Sequence, residues 1–379
     1  MHGIKKLKSG RWQGRYFAGY DPKGKRIYPS KSFLKQADAI KWRNGKIHDK
    51  ETGRPSEVSD LTVEAYMKQY REKKAQRMRP NSQQAFDEYL RRYILPILGS
   101  VKLIALRPAM IEHWQSELLK TLAPSTVRNA RNQLSSALDK AVRFTLIPGN
   151  PVKQTDGPKV RRVEMKTFAR DQAIAFLDEC PDDKWGLFYT VALKTGIRPE
   201  EGEGLLWSAL DLLPGREGRL RVERVLMTRG VVGWQFHPPK TPRSKRSIAL
   251  PASLTNRLLE HRRRQLEERM AVGAAYSNND FVFANPLGEP LGRTQLQRRF
   301  KAILKATELA DMRLYDLRHS FVTLSLLAGV DVKTVSSDAG HASVAFTLDT
   351  YGHVLESMRE SAASKREEMF SKSSAVGLK

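Results

Sequence analysis

The stretch GHASVAFTLDTYGHV, Gly340 to Val354, decides how this chain is read. It sets two histidines, His341 and His353, around one tyrosine, Tyr351. A tyrosine at such a place ordinarily fills a core. A phenol can also attack an electrophile, provided a neighbour takes its proton, because its pKa lies near 10. Which of the two Tyr351 does depends on what stands upstream.

Three upstream fragments bear on it. TGIRPEEGEGLLWSALD, Thr195 to Asp211, sets Arg198 before Pro199, and proline suits the first position of a helix. Glu200 and Glu201 then fall in the first turn, where the helix dipole favours carboxylates. PPKTPRSKRSIALP carries Lys240 on a turn between strands, and LYDLRHSF carries Arg318. Taken in order, T-G-x-R, the lysine turn, D-L-R-H and G-H followed by T-x-x-T-Y-x-H resemble the tyrosine recombinases, the phage lambda-type integrase family. Any one fragment alone is a weak signal; all four in sequence are a strong one.

The resemblance implies a chemistry that these residue types suit. A DNA phosphodiester is an anion that repels nucleophiles, and two guanidiniums, Arg198 and Arg318, would neutralise it and stabilise the pentavalent transition state. Tyr351 would be the nucleophile and give a 3′-phosphotyrosyl enzyme. His341 would help accept its proton and hold a phosphate oxygen. Lys240 would protonate the departing 5′ oxygen, although Lys245 and neighbouring arginines are alternatives. Glu201 matches a carboxylate that orients catalytic groups. The ester conserves the bond energy, so the chemistry calls for no ATP, no metal and no other cofactor.

Some positions depart from the family pattern. Tyr315 stands three residues before Arg318, where a histidine or lysine is usual; it can donate a hydrogen bond to phosphate but carries no positive charge. His319 is common at its place in the family and reads as no substitute for Tyr315. Gly202 and Gly204 each cost roughly 1 kcal/mol in a helix against alanine, which leaves local packing there open. His353 reads as structural.

The whole chain agrees with a polyanionic partner. It has 379 residues, with 66 Lys and Arg against 41 Asp and Glu, a net +25. Such a balance favours nucleic acid, since each neutralised phosphate releases a counterion; an anionic membrane surface is the other polyanion available. The single cysteine, Cys180, builds neither a disulfide framework nor a zinc cluster, and a reducing cytoplasm fits it. The basic start MHGIKKLKSGRWQ has no apolar core of a signal peptide. No apolar run approaches the ~20 residues of a membrane span.

Three blocks follow from composition and periodicity, giving a multidomain α+β chain. Residues 1–56 hold 15 Lys and Arg against 4 Asp and Glu, a net +11. RWQGRYFAGY and KRIYPSKSF read as strands around a DPKG turn, and KQADAIKWRNGKIHDK as a short helix. This block resembles the arm-type DNA-binding domain of integrases. ETGRPSEVS, 51–59, reads as a linker. Residues 57–155 read as a helical bundle: Val63, Tyr66, Met67 and Tyr70, then Phe86, Tyr89, Leu90, Tyr93 and Ile94, recur at helical spacing. Asn81 or Ser82 is the candidate cap of the second helix, and Pro96 and Gly99 its stop. Ile111, Trp114, Leu118 and Leu119 mark a third helix and Ser125 to Phe144 a fourth, with Arg128, Arg131 and Lys140 as outer basic positions. The bundle resembles the SAM-like core-binding domain. NPVKQTDGPKVRRVEMK reads as a hinge or an ordinary linker. Residues 163–379 then mix helix with a small sheet. Asp171–Glu179 and Trp185–Lys194 read as helices, LRVERVLMTRG and VVGWQFHPPK as a hairpin, and RSIALP as a further strand.

The reading that follows is an integrase of a phage or other mobile element. It would act in the bacterial cytoplasm as a tetramer on double-stranded core and arm attachment sites, with accessory bending and excision-directionality proteins as candidate partners. A tail helix in HVLESMRESAASKREEMFSKSSAVGLK would dock Leu355, Met358, Ala362 and Met369 on a neighbouring subunit or on its own domain. Two readings compete with it: a sequence-specific DNA-binding protein with lost or weak catalysis, which Tyr315 favours, and a type IB topoisomerase, which would not need residues 1–56.

Overall fold

The computed structural model describes residues 3–20, 25–51, 61–161, 165–230, 233–239, 244–357 and 367. The chain divides into two compact units, Met1–Arg162 and Val163–Lys379.

The first unit opens with β1 (Ile4–Lys6), β2 (Trp12–Arg15), β3 (Gly19–Tyr20), β4 (Arg26–Ile27) and β5 (Ser30–Phe33). β1, β2 and β5 form an antiparallel sheet, while β3 pairs only with β4. The two expected long strands are thus each broken in two. The DPKG turn lies outside the described residues. Helix α1 (Gln36–Glu51) is four turns long rather than short. Its Trp42 lies against β2 at Gly14, where a Cβ would come within 2.9 Å of the indole, and meets Tyr16 edge to face at 5.6 Å.

The linker 52–60 lies outside the described residues. The bundle beyond it comprises α2 (Val63–Ala75), α3 (Pro80–Tyr89), α4 (Leu95–Leu98), α5 (Pro108–Leu119) and α6 (Pro124–Arg143). Thr62 caps α2 by accepting from the Ala65 N–H. The periodic residues do form the core: Val63, Tyr66, Met67, Phe86, Leu90, Ile94, Ile111 and Trp114 are all buried. Leu119, at 40% exposure, is not.

Three details differ from expectation. The second helix begins at Pro80, so Asn81 and Ser82 sit inside its first turn; proline, with its fixed φ and no N–H, takes the first position. Pro96 does not stop the helix. A π turn at Leu90–Ile94 leads into α4, the Leu95 N–H bonds five residues back to Leu90, and the Trp114 indole N–H satisfies the Tyr93 carbonyl at 2.6 Å. Gly99 does end it. Arg131 is not an outer residue: its guanidinium donates to the carbonyls of Val152 and Thr155.

The second unit runs α7 (Arg170–Glu179), α8 (Lys184–Thr195), α9 (Pro199–Glu203), β6 (Leu210–Asp211), β7 (Gly218–Val222), β8 (Val225–Gly230), β9 (Gly233–His237) and β10 (Arg246–Leu250). Helices α10 (Ala252–Val272), α11 (Arg293–Ala306), α12 (Asp316–Leu327), α13 (Val332–Ala339) and α14 (Val344–Ser357) follow. α8 is buried all round, from Gly186 to Leu193, and is the central helix of the unit. Asp183 caps its start through the N–H groups of Trp185 and Gly186. α12 packs on it; Arg318 lies in α12, and Arg198 follows just beyond the end of α8.

LRVERVLMTRG is two strands. β7 joins β10 and β6 in one antiparallel sheet, and β8 leaves it to form a hairpin with β9. The cause is visible in the sequence: Glu223 and Arg224 are successive exposed residues, which breaks the period of two. No helix among the described residues is long and apolar enough to cross a membrane.

Candidate active site

Arg198 stands where α8 gives way to α9. Gly196 ends α8 in the left-handed region, φ 65°, and Pro199 starts the next helix, so Arg198 lies in an extended turn between two helix ends. Its guanidinium donates to Glu201 Oε1 at 2.8 Å and to the Gly340 carbonyl at 2.9 Å. Glu201, 4% exposed, also accepts from the Arg198 backbone N–H at 2.8 Å. Arg246 Nη1 and Nη2 complete the shell of the carboxylate at 3.1 and 2.8 Å. Burial alone would raise the Glu201 pKa, but Arg246 and then Arg198 outweigh it and hold it below the usual carboxylate range. Burial likewise works against the charge on Arg198, and Glu201 and then Tyr315 outweigh it.

Arg318 is 2% exposed in α12. Its Nη1 donates to the Gly196 carbonyl at 2.8 Å. Its buried Nη2 has no acceptor among the described residues. A charged donor so placed is costly unless an acceptor arrives, and a phosphate oxygen would be one. Burial, then Arg198, pulls the Arg318 pKa down.

Tyr351 is 1% exposed and packs among Val322, Leu326, Val335 and Ala339. It interrupts α14, with φ −117° and ψ 17° inside an otherwise helical run. Its hydroxyl lies 2.6 Å from His319 Nδ1. Burial raises its pKa, with Arg318 acting against the rise. His341 follows Gly340, which ends α13 at φ 62°. Its Nδ1 lies 2.7 Å from Thr347 Oγ1, and its ring lies nearly parallel to that of Tyr351, 14° apart with centroids at 6.1 Å. Burial, then Arg318 and Arg198, lowers the His341 pKa to about 3, so the ring is neutral at physiological pH. Tyr315 is 36% exposed and meets the His319 ring at 5.4 Å.

The fold thus brings Arg198, Glu201, Arg318, His341 and Tyr351 to one place from three segments far apart in sequence. Lys240 lies outside the described residues, between β9 and β10. Lys245 is exposed, and Arg246 is fully engaged by Glu201, the Asp338 carbonyl and the Ser244 carbonyl. The side chain of His353 lies outside the described residues.

Sequence reasoning missed Thr347, set His319 aside, and counted Arg246 only as one of the arginines near Lys240. Arg246 carried a signal. In β10 it shares a face with the buried Ile248 and Leu250, so an arginine occupies an inward position of an alternating strand. Thr347 stands one helical turn before Tyr351, and His319 one turn after Tyr315.

A buried phenol, a stacked imidazole and two guanidiniums, one with a vacant donor, define an enzyme of phosphoryl transfer in the tyrosine recombinase class. The chain belongs to the phage integrase family: residues 166–358, just over half of it, match that family, and residues 62–119 match the phage integrase N-terminal SAM-like domain. It is 27% identical over 376 residues to the ICEBs1 integrase of Bacillus subtilis (strain 168), covering 97% of this chain and 99% of that one. An integrase of Streptomyces ambofaciens is 27% identical over 353 residues, 90% of this chain and 89% of its own. Among solved structures, the Tn1549 transposon integrase in complex with a circular intermediate DNA aligns with a TM-score of 0.66 at 20% identity, covering 82% of this chain and 99% of that one. A lambda integrase tetramer bound to a Holliday junction aligns at 0.58 and 18%, covering 90% and 96%. At these identities the likeness is one of fold: a SAM-like helical domain and a mainly helical catalytic domain with small sheets.

Proposed function

We propose that this chain integrates and excises a phage genome or other mobile element by site-specific recombination. Tyr351 attacks the scissile phosphate and forms a 3′-phosphotyrosyl link. Arg198 and Arg318 hold the phosphate oxygens, with the vacant Nη2 of Arg318 as the donor that the transition state fills. His341 presents Nε2 to a phosphate oxygen while Thr347 holds Nδ1. Glu201 aims Arg198. Tyr315 contributes a hydrogen bond at the phosphate. Lys240 protonates the 5′ oxygen. The observation that carries the reading is the convergence of Tyr351, Arg318, Arg198 and His341, with the buried Arg318 Nη2 left without an acceptor among the described residues.

The domains are 1–56, 57–155 and 163–379. The first, a basic sheet with one helix, binds arm sites. The second grips the core site; Lys73 and Lys140 flank the exposed Phe144 ring at 5.8 and 4.8 Å, and Arg128 is exposed, which supports a basic face on α2 and α6. The protein works in the cytoplasm on two duplexes, and the lambda integrase tetramer on a Holliday junction supports its acting as a tetramer. The expected docking of the tail falls on residues 358–366 and 368–379, which lie outside the described residues. Bending and directionality proteins assist.

The test is covalent trapping. DNA flanking the gene in its own element, nicked near the candidate cleavage point, is incubated with wild type and with Tyr351→Phe, then denatured and run on a gel. A shifted band with wild type alone is expected. Binding without an adduct for both proteins would favour a DNA-binding protein lacking catalysis.

A further inference from the structure

The group that touches the nucleophile is His319, and neither the motif nor the resemblance gives it a part. Its Nδ1 lies 2.6 Å from the Tyr351 hydroxyl. His341 is arranged otherwise. Its Nδ1 is engaged by Thr347, and its ring stacks on the phenol at 14°. An imidazole accepts a proton through a lone pair in its own plane, so a stacked ring offers the phenol its face. His319 is also well held. It follows Arg318 on α12, and the Tyr315 ring stands edge-on to it at 5.4 Å. The position where the family places a histidine or lysine holds Tyr315; His319 lies four residues on, one turn along the same helix face. Burial lowers the His319 pKa, with Asp316 opposing and Arg318 and Arg313 reinforcing the shift, which favours the neutral ring that can accept.

We propose that His319 is the general base that takes the Tyr351 proton. The O–H bond of the phenol breaks, and its proton moves to Nδ1 of the tautomer that carries hydrogen on Nε2. The freed oxygen pair forms the bond to phosphorus. The bond from phosphorus to the 5′ oxygen breaks, and that oxygen leaves with a proton from the general acid. Religation reverses the transfer, and His319 returns the proton to the phenol. His341 is left to hold a phosphate oxygen.

This inference rests on the recombinase reading, and its test separates the two. The full chain is used as wild type, Tyr351→Phe, His319→Ala, His319→Gln and Lys240→Ala. Nicked attachment-site DNA carries either the ordinary linkage or a 5′-bridging phosphorothiolate, whose sulfur leaves without a proton donor. His319→Ala should bind DNA normally and form adduct about 10²–10⁴-fold more slowly on both substrates. Added imidazole should restore much of that loss, and His319→Gln should not. Lys240→Ala should recover on the sulfur substrate alone. Cleavage by His319→Ala at the wild-type rate or faster would overturn the proposal, the faster rate meaning that His319 restrains the tyrosine. Recovery by His319→Gln without any effect of imidazole would also overturn it, leaving His319 a positioning residue. If wild type itself forms no adduct, the recombinase reading fails and this inference with it.

Discussion

Removing the carboxylate of Glu201 tests how far the site's charges depend on one another. Glu201→Ala deletes an acceptor that holds two guanidiniums and a backbone N–H through four hydrogen bonds of 2.8–3.1 Å. The Arg246 side chain is 4% exposed and that of Glu201 2%. Leaving a buried charge without its partner costs about 3–5 kcal/mol. For a domain of about 150–250 residues each kcal/mol moves Tm by about 2–4 °C, so the catalytic unit should melt ~6–20 °C lower. Scanning calorimetry on the full chain reads the shift, and hydrogen exchange of α8 and β10 amides assigns the transition. The double variant Glu201→Gln, Arg246→Met should lose clearly less than Glu201→Ala, because it removes the charge that the single variant strands. Adduct formation should fall with either, since Arg198 loses its aim. The sign against pH follows from the lowered pKa of Glu201. The stabilisation is complete above the ordinary carboxylate value of 4.5 and is lost as pH falls through the lower folded value. A Glu201→Ala melt within ~2 °C of wild type would refute the argument, for the two arginines would then be hydrated in solution.

Further outcomes follow from the same geometry. Arg318→Lys keeps a charge but loses the fork that reaches the Gly196 carbonyl and the phosphate together; single-turnover cleavage should drop about 10²–10³-fold with DNA binding retained in a native gel. Gly202→Ala should destabilise by about 1–3 kcal/mol in urea despite alanine's better helix propensity, because its Cβ would come within 2.9 Å of the Phe188 ring. The folded chain keeps His341 neutral down to about pH 3, whereas the unfolded chain protonates it near 6.5. Its contribution is therefore whole above pH 6.5 and fades as pH falls from there toward 3, and His341→Gln should flatten the urea midpoint across that window.

The sequence made the helical cores and most of the site legible because each rests on a local rule. Val63, Tyr66 and Met67 repeat at helical spacing and are buried together. The arginines, His341 and Tyr351 come from short motifs. What was hidden depends on contacts between distant segments. Gly202 and Gly204 looked like liabilities in a helix, yet α9 is one short turn pressed between the Phe188 ring and the Leu226 backbone, where side chains do not fit. Pro96 looked like a stop, yet a π turn, closed by the Leu95 N–H on the Leu90 carbonyl, carries the helix through it, and the Trp114 indole caps the neighbouring Tyr93 carbonyl. His319 was seen and set aside, because nothing in a linear motif says that it faces a tyrosine 32 residues later.

The glycines of the T-G-x-R and G-H motifs find a common explanation in how the arginines are held. Gly196 and Gly340 each end a helix in the left-handed conformation, α8 at φ 65° and α13 at φ 62°. A helix end presents carbonyls that the helix itself cannot satisfy. The Gly196 carbonyl takes the Arg318 guanidinium, and the Gly340 carbonyl takes that of Arg198. Each arginine is thereby fixed by a segment that carries another residue of the candidate site: Gly196 leads to Arg198, and Gly340 leads to His341. A side chain at either glycine would be strained by φ and would strike its surroundings, the Phe321 ring at Gly196 and the Arg246 guanidinium at Gly340. Gly196→Ala and Gly340→Ala should therefore lower cleavage by displacing an arginine that neither residue precedes directly. The displaced partner would be Arg318 in the first case and Arg198 in the second. A Gly196→Ala protein that folds and cleaves at the wild-type rate would show that this cross-bracing does not set the arginines' positions.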